Sequence, residues 1–156
     1  MTRVFTALAD PDDAEALARL QADFNAEFDS PCPARADLVR RFRAIIASPA
    51  GYAVLAGNAG SPDGYGLVTL RPTIYSDGPL AVLDELYVRP PRRADGIGTA
   101  LLAHVVAELR GRGGEEMHIN VDEVDVDTRR FYERHGFTNT EPGDEGRMLL
   151  YVREFG

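Results

Sequence analysis

Residues 83–105 read LDELYVRPPRRADGIGTALLAHV, and the order of elements in this stretch decides the fold. The apolar run AVLDELYV (81–88) predicts a strand. Ile97, Leu101, Leu102, Val105, Val106 and Leu109 recur at helical spacing and predict a helix over 97–110. Between them, Arg93-Ala94-Asp95-Gly96-Ile97-Gly98 makes a strand-to-helix turn. Glycine lets backbone N–H groups approach a ligand with no Cβ in the way. The helix adds free N–H groups and the positive end of its dipole, so the turn suits an anion such as pyrophosphate. Arg89, Arg92 and Arg93 lie within five residues, and guanidinium suits phosphate. The same turn also fits plain close packing of helix on strand, and the arginines also fit a solvated edge. A Walker A loop fails for want of Gly-Lys-Ser/Thr. A dinucleotide fingerprint fails on its third glycine and on a position past mid-chain.

Outward from this stretch, EMHINVD (116–122) alternates as a strand and completes a βαβ unit. Its crossover should be right-handed, which makes strands 81–88 and 116–122 parallel. Upstream, residues 3–9 predict a strand, and Asp10-Pro11-Asp12 predicts a helix start. Leu17, Leu20, Phe24 and Phe28 then mark a first helix, stopped by SPCP (30–33). Leu38, Val39, Phe42, Ile45 and Ile46 mark a second, ended by Ser48-Pro49. GYAVLAG (51–57) and YGLVTLRP (65–72) are strands joined by a loop of hairpin composition. Downstream, 125–135 is helical and stops at Gly136, 137–146 is a strand and turn, and RMLLYVREF (147–155) is a last strand. The three strands before the βαβ unit most simply form an antiparallel meander, giving a mixed sheet with helices on both faces.

The chain has 156 residues, 44% of them hydrophobic, which fits one ordinary domain, 1–156, and excludes disorder. Its formal charge of −8 argues against nucleic-acid and anionic-membrane partners, both of which demand a positive footprint. An anionic ligand would need local attraction of the kind the arginine-glycine turn supplies. The single cysteine, Cys32, cannot form an internal disulfide. With no signal-like apolar stretch and no run of about 18 apolar residues, the expectation is a soluble cytoplasmic protein. His104, His118 and His135 show no metal-ligand spacing, so no metal is expected.

LYVRPPRRADGIGTALL resembles the acyl-CoA-binding motif of the GNAT superfamily of N-acetyltransferases, Gln/Arg-x-x-Gly-x-Gly/Ala after a strand. TRRFYERHGF (128–137) is similar to that family's second signature, an aromatic-Tyr pair followed by Gly-Phe. The spacing agrees over 81–138, and the element order agrees over the chain. The resemblance implies a mixed, mostly antiparallel sheet of six to seven strands, with a parallel pair splayed at the centre and helices on both faces. It implies acetyl-CoA as cosubstrate, bound by a core over 81–138, with helices over 11–48 on the acceptor side.

Roles follow from the resemblance residue by residue. Backbone N–H groups of Arg93, Ala94, Asp95, Gly96, Ile97, Gly98 and Thr99 would cradle the coenzyme pyrophosphate. Backbone groups of Leu86, Tyr87 and Val88 would pair with the pantetheine arm as an added strand. Tyr132, beside Phe131, would be the general acid that protonates the departing thiolate, with a core aromatic as its plainer role. Asp125 and Thr128 stand where many relatives place Asn and a small residue near the coenzyme, and Ala94-Asp95 replaces the frequent Gly-Lys or Gly-Gln.

An alkyl ammonium has a pKa of about 10.4, so amine acetylation needs a base, and a positioned carboxylate is a usual one. Glu85 is the first candidate and Asp84 the second, because the resemblance favours the residue just before Leu-Tyr-Val. Strand alternation sends their side chains to opposite faces. On the acceptor side, Phe24, Glu27 and Phe28 end the first helix, and Arg71 and Tyr75 lie in the loop 70–79. Aromatic and acidic groups together suit a cationic amine, while Arg71 suits a carboxylate. Phe24 and Phe28 fit the core of an amphipathic helix equally. Asn120 shares a strand face with His118 and would line the cleft. The reading is acetyl transfer to a primary amine of a small molecule or peptide in a ternary complex, with a homodimer left open. Cys32 lies outside the motif, so no covalent enzyme intermediate is expected. The alternatives are a non-catalytic acyl-CoA-binding or regulatory module of the same fold, and a protein N-terminal or lysine acetyltransferase.

Overall fold

The computed structural model describes residues 4–156, so Arg3, the start of the predicted first strand, lies outside the described residues. The chain falls into two compact units, Met1–Ile119 and Asn120–Gly156.

The first unit is built on one sheet, ordered β1 (Phe5–Leu8), β2 (Gly51–Asn58), β3 (Ser61–Arg71), β4 (Leu80–Val88), β5 (Glu116–Ile119). The first three pairings are antiparallel, and β4 pairs β5 in parallel. Between β1 and β2 come α1 (Ala14–Glu27) and α2 (Arg35–Ile46), and α3 (Ile97–Gly111) makes the β4–β5 crossover. Asp10 and Asp13 hold the approach to α1 by a reciprocal capping box: Asp12 N donates to Asp10 Oδ1 at 2.8 Å and Asp10 N to Asp13 Oδ2 at 2.9 Å.

Period-two alternation divides the sheet into two packed faces. On one, Leu17, Leu20, Leu38, Val39 and Phe42 of α1 and α2 cover Ala53, Leu55, Tyr65, Leu67 and Tyr87. On the other lie Ile97, Leu101, Leu102, Val105 and Leu109 of α3. There Tyr52 donates its hydroxyl to Val105 O at 2.6 Å, and a Cβ at Gly64 would stand 3.3 Å from Leu101 Cδ1 and 2.6 Å from Tyr87 O. Gly64 is thus what lets α3 lie so close to the sheet.

Three expectations are corrected. The β2–β3 connection is only Ala59-Gly60, because β3 starts at Ser61 rather than at 65 and pairs through Pro62. Strand β5 ends at Ile119 rather than at 122. The sheet has five strands among the described residues, not six or seven, since 137–146 and 147–155 supply none. They share only the bridge Thr140↔Arg147, with Met148 N donating to Asn139 O. Met148, Leu149, Leu150, Tyr151, Val152 and Phe155 are all exposed. The apolar run Met148–Val152 has strand-like composition, and such a run forms a strand only where a neighbouring edge supplies hydrogen bonds.

The second unit contains α4 (Val126–Arg134). Asp125 caps it by accepting from Thr128 N at 3.3 Å, and Gly136 follows in the left-handed region at φ +91. No helix among the described residues is long and apolar enough to cross a membrane.

Candidate active site

The site begins at an irregularity in β4. Leu67 of β3 stands opposite Glu85 but Val68 opposite Leu83, so Asp84 is an extra residue, a β-bulge. Val68 and Leu83 belong to the α3 face, whereas Leu67 and Glu85 belong to the α1–α2 face. Asp84 itself accepts a hydrogen bond from the hydroxyl of Thr69, which lies on the same face as Leu67. Simple alternation is therefore corrected: the bulge turns Asp84 and Glu85 to one side of the sheet, not to opposite sides.

Glu85 is half-buried there and Asp84 is exposed. Burial, and next the negative charge of Asp84, push the Glu85 carboxyl up to about 7. A carboxyl with that midpoint is poised to exchange a proton near neutral pH. Across the strands, Tyr65 is fully buried and donates its hydroxyl to Gln21 of α1. Gln21 Nε2 donates to Asn25 Oδ1 at 2.6 Å, and Asn25 Nδ2 donates to Pro31 O at 2.8 Å. These amides tie the end of α1 to the loop that follows it.

The bulge also marks where the parallel pairing stops, at Leu83↔Ile119, while β4 continues to Val88. Arg89 N donates to Asp63 O, so by alternation Tyr87 and Glu85 direct their backbone groups to β3. Leu86 and Val88 direct theirs to the open side. The expectation of three edge residues is corrected to two, Leu86 and Val88, because Tyr87 is committed to β3.

Beyond β4 the chain turns through Ala94 at φ +76 and Gly96 at φ +81, both left-handed. Gly96 is the N-cap of α3, with open space where a Cβ would stand. Among the described residues, none accepts a hydrogen bond from the N–H groups of Ala94, Asp95, Gly96, Ile97, Gly98 or Thr99. Six such donors at a glycine turn and helix start fit a diphosphate.

The arginines differ from expectation. Arg89 pairs with Asp23 at 3.4 Å, and its buried Nε has no partner. Arg92 pairs with Asp63 at 2.6 Å and Asp95 at 2.8 Å. Arg93 grips both oxygens of Glu27 at 2.7 and 2.8 Å. The arginine cluster is thus a set of ion pairs, because the acidic chain places a carboxylate against each arginine.

Phe24 stacks on Tyr87 with centroids 4.9 Å apart, and Phe28, exposed, lies 5.4 Å from Phe24. Arg71 sits opposite Leu80, at the other end of β4 from Val88, roughly 25 Å away along the strand. Tyr75 follows it with an exposed ring. The expected grouping of Arg71 with Phe24, Glu27 and Phe28 is corrected: strand length separates Arg71 from them. Asn120 falls after the end of β5, so it shares no strand face with His118, whose Nε2 meets Glu116 at 2.6 Å.

In the second unit Tyr132 is buried, with edge contacts to Phe131 at 5.2 Å and Phe137 at 5.6 Å. Phe131 also stands 4.6 Å from His135. Asp125 and Thr128 meet each other as the α4 cap. Sequence reasoning missed Thr69, Tyr65, Gln21 and Asp23. Only the Gln21–Asn25 spacing of four on a helix could have signalled one of them.

Residues 15–137 match the family model described as Acetyltransferase (GNAT) family. A crystal structure from Arthrobacter sp. FB24, provisionally assigned as an acetyltransferase, superposes with a TM-score of 0.90 at 44% identity, covering 97% of this chain and 96% of that one. An integron cassette protein from the mobile metagenome of Cole Harbour Salt Marsh gives 0.78 at 26% identity, over 95% and 89% of the two chains. The mycothiol acetyltransferase of Thermobispora bispora is 35% identical over 103 residues, 65% of this chain. The chain spans about a third of that protein's length, 35%.

Proposed function

Because the chain belongs to the acetyltransferase (GNAT) family, we propose that it transfers an acetyl group from acetyl-CoA to a primary amine of a small molecule or peptide. One observation carries the reading. At the bulge in β4, a half-buried carboxyl with its midpoint at about 7 stands where the sheet opens a backbone edge. Acetyl-CoA, when bound, supplies a thioester carbonyl open to attack by an amine.

The chain's own residues have separable roles. The N–H groups of Arg93 through Thr99 bind phosphate, the Arg93 N–H only on leaving Pro90 O, which it reaches at 3.2 Å. The open-edge groups of Leu86 and the Val88 N–H hold an extended ligand as an added strand would be held, and Val88 O joins them only on leaving Arg93 Nε, which donates to it at 2.9 Å. Glu85 accepts the proton that the acceptor nitrogen loses, and near pH 7 about half of it is ionised and competent. Asp84 keeps that midpoint high by its charge, and Thr69 fixes Asp84. The Tyr132 hydroxyl donates a proton to the departing thiolate, a role that rests on the Phe131-Tyr132 and Gly136-Phe137 signature.

The test is a panel assay of purified protein with acetyl-CoA against amines, polyamines, aminoglycosides, amino acids and peptides, read as free thiol. Turnover on one class supports the proposal. Coenzyme binding without turnover on any class replaces it with a binding module, and no coenzyme binding at millimolar concentration removes it.

A further inference from the structure

The Glu27–Arg93 pair joins the last residue of α1 to the turn that starts the coenzyme cradle, across 66 residues of sequence. Each of the three nitrogens of this guanidinium makes a hydrogen bond. Nη1 and Nη2 meet the two Glu27 oxygens at 2.8 and 2.7 Å, Nε donates to Val88 O at 2.9 Å, and the group lies 5.8 Å from the Tyr87 ring centre. Val88 O is one of the open-edge groups of β4, so Arg93 closes that end of the edge while Glu27 holds it. Next to it, Asp23 of the same helix holds Arg89. An anion arriving at Arg89 or Arg93 meets a guanidinium already paired, and it competes there with a carboxylate of α1.

We propose that Glu27 is an internal competitor for the coenzyme. Engagement of Arg93 by a coenzyme phosphate releases the Glu27 carboxylate, which then recruits a cationic amine beside the exposed Phe28 ring. The inference rests on the acetyl-CoA reading and adds to it the pair of residues, Glu27 and Arg93, that couples coenzyme to amine. By linkage, the amine tightens the coenzyme by the same factor. The competition follows from charge: a bidentate guanidinium–carboxylate pair that is partly shielded from water is stronger than a surface contact, yet weak enough for a polyanion to break.

The experiment is calorimetric titration of coenzyme A into the full chain and into Glu27→Gln, Arg93→Met, the double variant and Glu115→Gln. The last removes the same charge at an exposed position away from the turn. Glu27→Gln should bind coenzyme A about three- to tenfold more tightly than Glu115→Gln does. Arg93→Met should bind more weakly than the parent, and the gain from Glu27→Gln should vanish in the Arg93→Met background. Thermal melts establish that each variant is folded, and Glu27→Ala repeats the measurement with the hydrogen-bonding amide removed as well. A parent that binds while Glu27→Gln gives no gain over Glu115→Gln overturns the competition alone. A gain that persists without Arg93 overturns it too. A parent that binds no coenzyme at millimolar concentration overturns the acetyl-CoA reading and this inference together.

Discussion

Replacing Glu85 by Gln isolates the proposed base. With a midpoint at about 7, its ionised fraction rises from about a tenth at pH 6 to about nine-tenths at pH 8. A carboxyl at its ordinary 4.5 would be almost fully ionised at both. The quantity to measure is kcat/KM of parent over Glu85→Gln from pH 5.5 to 9, with the best acceptor from the panel. Taking the ratio cancels the acceptor's own ionisation, which is common to both proteins. The ratio should climb about tenfold between pH 6 and 8 and level at roughly 10²–10⁴. Asp84→Asn should move the midpoint to lower pH, since it removes the negative neighbour. A ratio that stays flat with pH, or that never exceeds about threefold, would refute the assignment. Stability supplies a cross-check with a defined sign. The fold raises this carboxyl, so its contribution is full below the unfolded value of 4.5 and is lost as pH rises through about 7. The melting temperature of Glu85→Gln relative to parent should therefore rise across that window.

Other outcomes follow from single contacts. Tyr132→Phe should lower kcat at least about tenfold and leave coenzyme affinity within about twofold, by single-turnover kinetics and calorimetry. An unchanged rate would remove the acid. Gly96→Val places a branched side chain at φ +81, which costs about 1–2 kcal/mol of strain, and it also crowds the cradle; coenzyme binding should fall at least about tenfold. Ala94→Gly relieves the same conformation at φ +76 but loosens the unfolded chain, so denaturant titration should show a change of about 0 to +1 kcal/mol. Leu101→Ala empties a fully buried site under α3 and should cost about 2–5 kcal/mol in urea unfolding.

The strand, glycine turn and helix over 81–111 were legible because their determinants are local: spacing of apolar residues, a break, and a residue without Cβ. The same holds for α1 and α2. The bulge was not, since LDELYV reads as regular alternation until the register of β3 is known, and register is a property of the pair. The arginine partners were hidden for a similar reason. Asp23, Glu27 and Asp63 lie 29 to 66 residues away in sequence, and composition alone cannot match them to Arg89, Arg92 and Arg93. The apolar run in 147–155 reads as a strand for want of knowing whether an edge meets it. Glu85 was found by its position in the motif, but its shifted ionisation comes from packing and from the unforeseen side that Asp84 takes.

The bulge gives β4 a spare residue. Leu83 and Glu85 stand against the adjacent positions Val68 and Leu67, so the ladder would close without position 84. Shortening the chain there keeps every later side chain on its own side of the sheet and removes only the bend and one carboxylate. A one-residue change in length at positions 81–83 has the opposite result, because it shifts phase against β3 and turns apolar residues toward the wrong layer. In this strand, then, length is more tightly specified than identity before position 84. At position 84 itself, identity and bend carry the chemistry while the core is indifferent.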